Sequence, residues 1–279
     1  MNQPRAGRER PSASTLIAAA IILILAIVVV FSAVTVFQLP DPVTKEAKRT
    51  DLLYQPVLAV SFIIYFAVTA GIIWAVFRYR RRDNSEMPAQ IHGSTFIEVG
   101  GVLFSVVVLV GLFIPALILV LDLKTPPDDG EVDLTVEAVG HQWWWEFVYP
   151  DDGIRVQPTP PNYDDLKPPT LVVPVGKTIQ IFVRSTDVIH SFSAPRTLYK
   201  LQAIPGNVNQ MHFKAEKVGT YRGQCYQFCG LRHSDMLFVL EVKSEADYQR
   251  WLSDTKRAQG VTAPRDQASN PDTTGSRGE

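Results

Sequence analysis

Three stretches of the chain are apolar at nearly every position, and the sequence after them alternates instead. The apolar runs are Leu16–Phe37 (LIAAAIILILAIVVVFSAVTVF), Pro56–Phe77 and Phe96–Leu121. Each is long enough for a membrane helix, because about 20 residues rising about 1.5 Å each cover the roughly 30 Å of bilayer hydrocarbon. Core helices of that length are normally interrupted by polar residues, and these runs almost lack them. Residues 56–77 and 96–121 are therefore expected to form a transmembrane hairpin. Residues 16–37 read either as a further anchor or as a signal-like segment, because Arg5, Arg8 and Arg10 in residues 1–15 form a basic leader. The run exceeds a usual signal core, which favours retention, and no cysteine lies near it to carry a lipid. Arg78 and Arg80–Arg82 stand between the second and third runs, and basic residues stay in the cytoplasm. The N-terminus is then cytoplasmic, the loop from Gln38 to Gln55 external, and everything after about Leu123 outside.

Past the last run the pattern has period two, in EVDLTVEAVG, TIQIFVRS and MLFVLEVKS, with Gly and Pro punctuating VPVGKT and AIPGN. Residues 131–252 are expected to fold as an all-β Greek-key sandwich or barrel. Residues 253–279, ending QGVTAPRDQASNPDTTGSRGE, offer too few apolar side chains to pack and read as a disordered tail. The formal net charge of −1 hides an uneven distribution: residues 122–251 carry 17 acidic and 13 basic residues, a balance that suits a basic partner.

Both cysteines of the chain fall in one stretch, CYQFCGLRHSDM, from Cys225 to Met236. A disulfide is one reading, since this part is expected outside the cytoplasm. Metal binding is the other, and Cys225, Cys229, His233 and Met236 are the soft and borderline ligands that copper favours. Of the remaining histidines, His92 lies on the cytoplasmic side and His212 sits in an alternating strand with charged neighbours. His141 opens HQWWWEF and reads as a supporting or interface residue. His190, in STDVIHSFSAP, ends a β-rich run and is the best candidate for a further ligand. Three successive tryptophans on a strand must alternate faces, so at least one of Trp143, Trp144 and Trp145 should point outward.

The stretches DVIHSFSAP, AIPGNVNQ and YRGQCYQFCGLRHSDM, in that order and spacing, resemble the CuA domain of subunit II of haem-copper cytochrome c oxidases. HQWWWEF resembles the aromatic segment of that family, and the hairpin resembles its membrane anchor. The resemblance covers roughly Pro56 to Trp251. It implies a membrane-anchored cupredoxin-like subunit that accepts electrons from a cytochrome c at two copper ions. It implies delivery to subunit I, where oxygen is reduced to water with proton translocation. Cys225 and Cys229 would bridge the coppers, His190 and Met236 would complete one, and His233 and the main-chain oxygen of Gln227 the other. Trp143 would meet the donor. Many members have glutamate where this chain has Gln227, and that carboxylate also reaches a magnesium ion shared with subunit I. The copper contact is main-chain and survives the change, while the expectation of magnesium weakens.

HGSTFIEVGG resembles the start of the family's second hairpin helix, where a glutamate marks the cytoplasmic entrance of a proton path. Glu98 holds that position, with an interfacial carboxylate as its plain reading. The family's usual tryptophan and proline just beyond are absent, Gly101 standing in the former place. Two other functions compete with the oxidase reading: a quinol oxidase subunit II, which lacks the copper ligands present here, and an exported zinc or single-copper protein that delivers metal.

Overall fold

The computed structural model describes residues 24, 27–29, 31–32, 35–80, 93–128, 130–158 and 167–261. Among these, residues up to 40 together with 48–122 form one compact unit, and 41–47 with 123–261 the other. In the first unit, α1 (Lys45–Tyr79) and α2 (Thr95–Lys124) are both long and apolar enough to cross a membrane. No residue of α2 is buried, so the helix is apolar all round, as lipid or protein neighbours in a membrane require. The described positions between 24 and 36 are helical, and the rest of the 16–37 run, like His92, lies outside the described residues.

The sequence placed the first hairpin helix at 56–77 and a loop before it. The helix instead begins at Lys45. An apolar window marks only the stretch that suits hydrocarbon, whereas helix formation continues through the polar residues before it. Thr44 supplies the start signal, its Oγ1 accepting from Ala47 N at 3.0 Å. Thr44 also bridges Ala215 in the β unit, and Val43 exchanges main-chain bonds with Arg196 and Glu216. Val43, Thr44 and Ala47 are buried in that contact.

The second unit is a sandwich of two five-stranded sheets, β3-β2-β1-β5-β8 and β4-β10-β9-β6-β7. The strands are β1 Leu134–His141, β2 Trp144–Tyr149, β3 Ile154–Val156, β4 Thr170–Pro174, β5 Thr178–Ser185, β6 His190–Ser193, β7 Leu201–Ala203, β8 Asn209–Lys214, β9 Gly219–Cys225 and β10 Leu237–Lys243. Alternation decides which side chains meet between the sheets. Ile179, Ile181 and Val183 of β5 face Phe238, Leu240 and Val242 of β10 across a core that also takes Trp145, Phe147 and Phe192. Phe192 and Phe238 stack with centroids 4.7 Å apart, and Trp145 meets Phe192 edge-on at 5.5 Å. The two sheets are tied by Tyr149, whose buried hydroxyl both donates to Val172 O and accepts from Val172 N at 2.9 Å.

Residues 253–259, read as tail, are instead the second half of α3 (Glu245–Gln259). Ser244 caps it, and Gly260 closes it in the left-handed region. Tyr248 and Leu252, one turn apart, bury its apolar face, and Trp251 lies 5.4 Å from Tyr149. Two apolar contacts per turn suffice for a docked helix even where the composition is mostly polar. Residues 262–279 lie outside the described set.

Candidate metal centre

The ligand candidates gather where β6, β9 and β10 end together. Cys225 is the last residue of β9, and Met236 immediately precedes β10, its antiparallel partner. The Cys225 amide donates to Met236 O at 3.0 Å, which closes the base of the loop between them. On the other side of β9 lies β6, with Phe192 opposite Cys225, so His190 arrives beside the sulfur from 35 residues away. His190 opens β6; it does not end β5, as the sequence suggested.

Cys225 Sγ lies 4.0 Å from Cys229 Sγ, 4.0 Å from His190 Nδ1 and 3.2 Å from the main-chain oxygen of Gln227. Cys229 Sγ lies 3.6 Å from His233 Nδ1 and 3.9 Å from Met236 Sδ. Both cysteines are free, and a disulfide would need sulfurs about 2.05 Å apart, so the thiol reading holds here. Cys225, Cys229, His190 and Met236 are buried, while His233 is partly exposed. Two thiols, two imidazoles, a thioether and a carbonyl form a soft donor set that fits copper, and His190 and both sulfurs bring their ligand atoms within 4.8 Å of one another.

Two glycines make room. A Cβ on Gly140 would fall 2.8 Å from His190 Cδ2, so only glycine lets the imidazole sit against β1. Gly230, at φ +122, occupies a backbone region that side chains disfavour and turns the loop under the Trp143 ring. Burial works against ionisation of either thiol. At Cys225 it is outweighed by His190 and by main-chain groups of Ser191 and Gln227, which hold that thiol below its usual range. At Cys229 burial and the neighbouring Cys225 act together, and the thiol is pushed up to about 12. Burial opposes the charged form of His190 too, but Cys225 and Asp187 raise its pKa.

The family described as cytochrome c oxidase subunit II, periplasmic domain, matches residues 134–243, which span β1 to β10. Cytochrome c oxidase subunit 2 of Oenothera berteroana is 32% identical over 220 residues, covering 73% of this chain and 81% of that one. The chain belongs to the cytochrome c oxidase subunit II family. Probable cytochrome c oxidase subunit 2 of Rickettsia bellii (strain RML369-C) is 29% identical over 228 residues, covering 78% and 82%. The crystal structure of the periplasmic domain of subunit II of cytochrome oxidase from Bradyrhizobium japonicum is 34% identical, with 48% of this chain and 99% of that one covered and a TM-score of 0.42.

The aromatic segment departs from the expected strand, because Trp143 lies in the turn between β1 and β2 and only Trp144 and Trp145 belong to β2. Trp143 is half-buried and its Nε1 donates to Cys229 O at 3.2 Å. Trp144 stacks on His141 at 4.1 Å, and Trp145 is fully buried beside His190. His141 Nδ1 pairs with Thr186 Oγ1 at 2.9 Å, and His212 lies on β8. Glu98 sits exposed in the first turn of α2.

Two residues at the centre escaped the sequence. Gln142 donates its side-chain amide to Cys229 O at 2.8 Å, and Asp187 lies 2.8 Å from His190 Nε2. An aspartate three positions before the candidate histidine was the available signal.

Metal loading must remove protons from this pocket, above all from Cys229, whose thiol is pushed up to about 12 by burial and by Cys225. Below its pKa, protons compete with metal, so affinity rises with pH. Copper affinity of the full chain, measured by competition with a chelator between about pH 6 and pH 8, should increase at least about tenfold per pH unit. A flat profile would contradict the protonated thiol.

Proposed function

We propose that the chain accepts electrons from a cytochrome c or similar donor at a dinuclear copper centre built on His190, Cys225, Gln227, Cys229, His233 and Met236. From there they pass to the haem-copper subunit I, which reduces oxygen to water with proton translocation. The observation that carries this reading is the pair of buried, unbonded thiols 4.0 Å apart with an imidazole beside each. Cys225 and Cys229 would be held in common by two copper ions, which would supply a one-electron centre. His190 and Met236 would complete one ligand set, and His233 with the Gln227 oxygen the other. Packing supports this by fixing the donors in place beforehand, with Trp145, Phe192 and Phe238 walling the pocket off from water.

α1, α2 and the family membership support a multi-pass subunit in a bacterial cell membrane, with the copper domain on the outer face and other oxidase subunits as partners. Trp143 is proposed as the point of electron acceptance, because its indole bonds the main chain of a bridging cysteine directly. Phe228 and Leu231 flank that cysteine and are 77% and 90% exposed, which makes the contact surface apolar. The acidic turn at Asp151 and Asp152 lies beyond the far end of β2, six residues or roughly 20 Å along the strand. That exceeds the Debye length of about 8 Å at physiological ionic strength, so those charges do not orient a donor locally. Glu98, at the start of α2, is proposed as the cytoplasmic entrance of a proton path.

Three outcomes test these assignments. Cys225→Ser or Cys229→Ser should abolish the two-copper spectrum and oxidase turnover, whereas Gln227→Ala should leave the spectrum unchanged; normal copper content in Cys229→Ser would sink the centre. Trp143→Ala should cut stopped-flow reduction by cytochrome c at every salt concentration, while Trp144→Ala and Trp145→Ala that slow transfer more would move the assignment to another indole. Glu98→Gln should slow steady-state turnover without altering copper content, and unchanged turnover would return the residue to an interfacial carboxylate.

A further inference from the structure

Asp187 stands in the loop from β5 to β6 and receives more hydrogen bonds than a surface carboxylate needs. Its Oδ1 lies 2.8 Å from His190 Nε2, 2.6 Å from Val188 N and 3.3 Å from Ser185 Oγ. Its Oδ2 accepts from Gln142 N at 2.7 Å. Gln142 in turn holds Cys229 O through its side chain, and the next residue, Trp143, holds the same oxygen. One carboxylate thus joins a ligand imidazole to the turn that carries the indole.

We propose that Asp187 is a positioning residue which fixes the metal-binding tautomer of His190 and, through the Gln142 amide, seats Trp143 on the bridging loop. Only an acceptor on both oxygens serves both neighbours. With Nε2–H donating to Oδ1, the lone pair of Nδ1 is left facing Cys225 Sγ and the metal. With Gln142 N–H donating to Oδ2, the two-residue turn between β1 and β2 is anchored at its first amide. The side chain is 31% exposed while His190 is 0% exposed, so the carboxylate is also the wall between the imidazole and water. Asparagine has the same shape and one acceptor. Its NH2 group must face either Gln142 N–H, donor against donor, or His190 Nε2. In the second case the imidazole proton moves to Nδ1 and blocks the metal position.

The proposal rests on the copper reading above, and its first test does not. In metal-free full chain in detergent, labelled with 15N-histidine, His190 should appear as a single Nε2–H tautomer. Asp187→Asn should give either the Nδ1–H form or an exchanging mixture. After copper loading, Asp187→Asn should bind copper about 10- to 100-fold more weakly and show altered hyperfine coupling. Reduction by cytochrome c should slow at all salt concentrations. Asp151→Asn removes the same charge at the far end of the sandwich and should change none of these. A parental tautomer, copper affinity and hyperfine pattern in Asp187→Asn would overturn the proposal and leave Asp187 as surface charge. A shifted tautomer in a chain that never forms a two-copper centre would uphold the positioning of His190 and overturn the copper reading alone.

Discussion

Two buried sulfurs must be kept 4.0 Å apart with no bond between them, and the rest of the candidate metal centre follows from that constraint. Thiols free to move in an oxidising compartment would close to a disulfide, which needs about half that separation. The loop resists this because both its ends are tied to the sheet: Cys225 closes β9, Met236 leads into β10, and a main-chain bond locks one to the other. Sheet order then supplies the remaining donor. β6 pairs with β9 on the side away from β10, so a histidine distant in sequence becomes a neighbour of the first sulfur.

Dryness gives the arrangement its electrostatic character. With aromatic rings behind and β1 pressed against the imidazole through Gly140, the pocket excludes water and strengthens every charge interaction within it. Two like charges cannot both form there without a counter-ion. The two thiols accordingly diverge, Cys225 falling and Cys229 rising to about 12. The pocket is thus built to be completed by cations, which would neutralise the second thiolate as they enter. Asp187 adds a negative charge at the rim that is held below the usual carboxylate range. Burial opposes its ionisation, and the bonds from His190, Val188 and Gln142 outweigh that burial.

Much of this arrangement is legible in the order of residues alone. Period-two alternation located β5 to the residue, because one face of that strand is core and the other is not. The candidate donors were legible because two cysteines, a histidine and a methionine crowded into one short loop form a soft donor set that packing alone does not require. Helix limits were less legible. α1 begins 11 residues before its apolar run and α3 persists into polar sequence, since a threonine cap and a pair of docked side chains act below the resolution of composition. The tryptophan run misled for a related reason: alternation presumes a strand, and a turn at Gln142 and Trp143 breaks the count.

Part of what remained hidden is contact made by main chain or by absence of a side chain. The Cys229 oxygen that receives both Gln142 and Trp143 and the space above Gly140 carry no signature in residue type, and the Gln227 oxygen was an expectation of the family resemblance alone. A contact made by main chain leaves the side chain free of it, and Gln227, which is exposed, is such a position. A glutamate replaced by glutamine there alters the outer surface and whatever cation that surface met, while the oxygen beside Cys225 stays where the backbone puts it. The candidate centre therefore has two layers: five donor side chains, and a backbone cradle whose path is held by β9, β10 and the hydrogen bond from Gln142 N to Asp187.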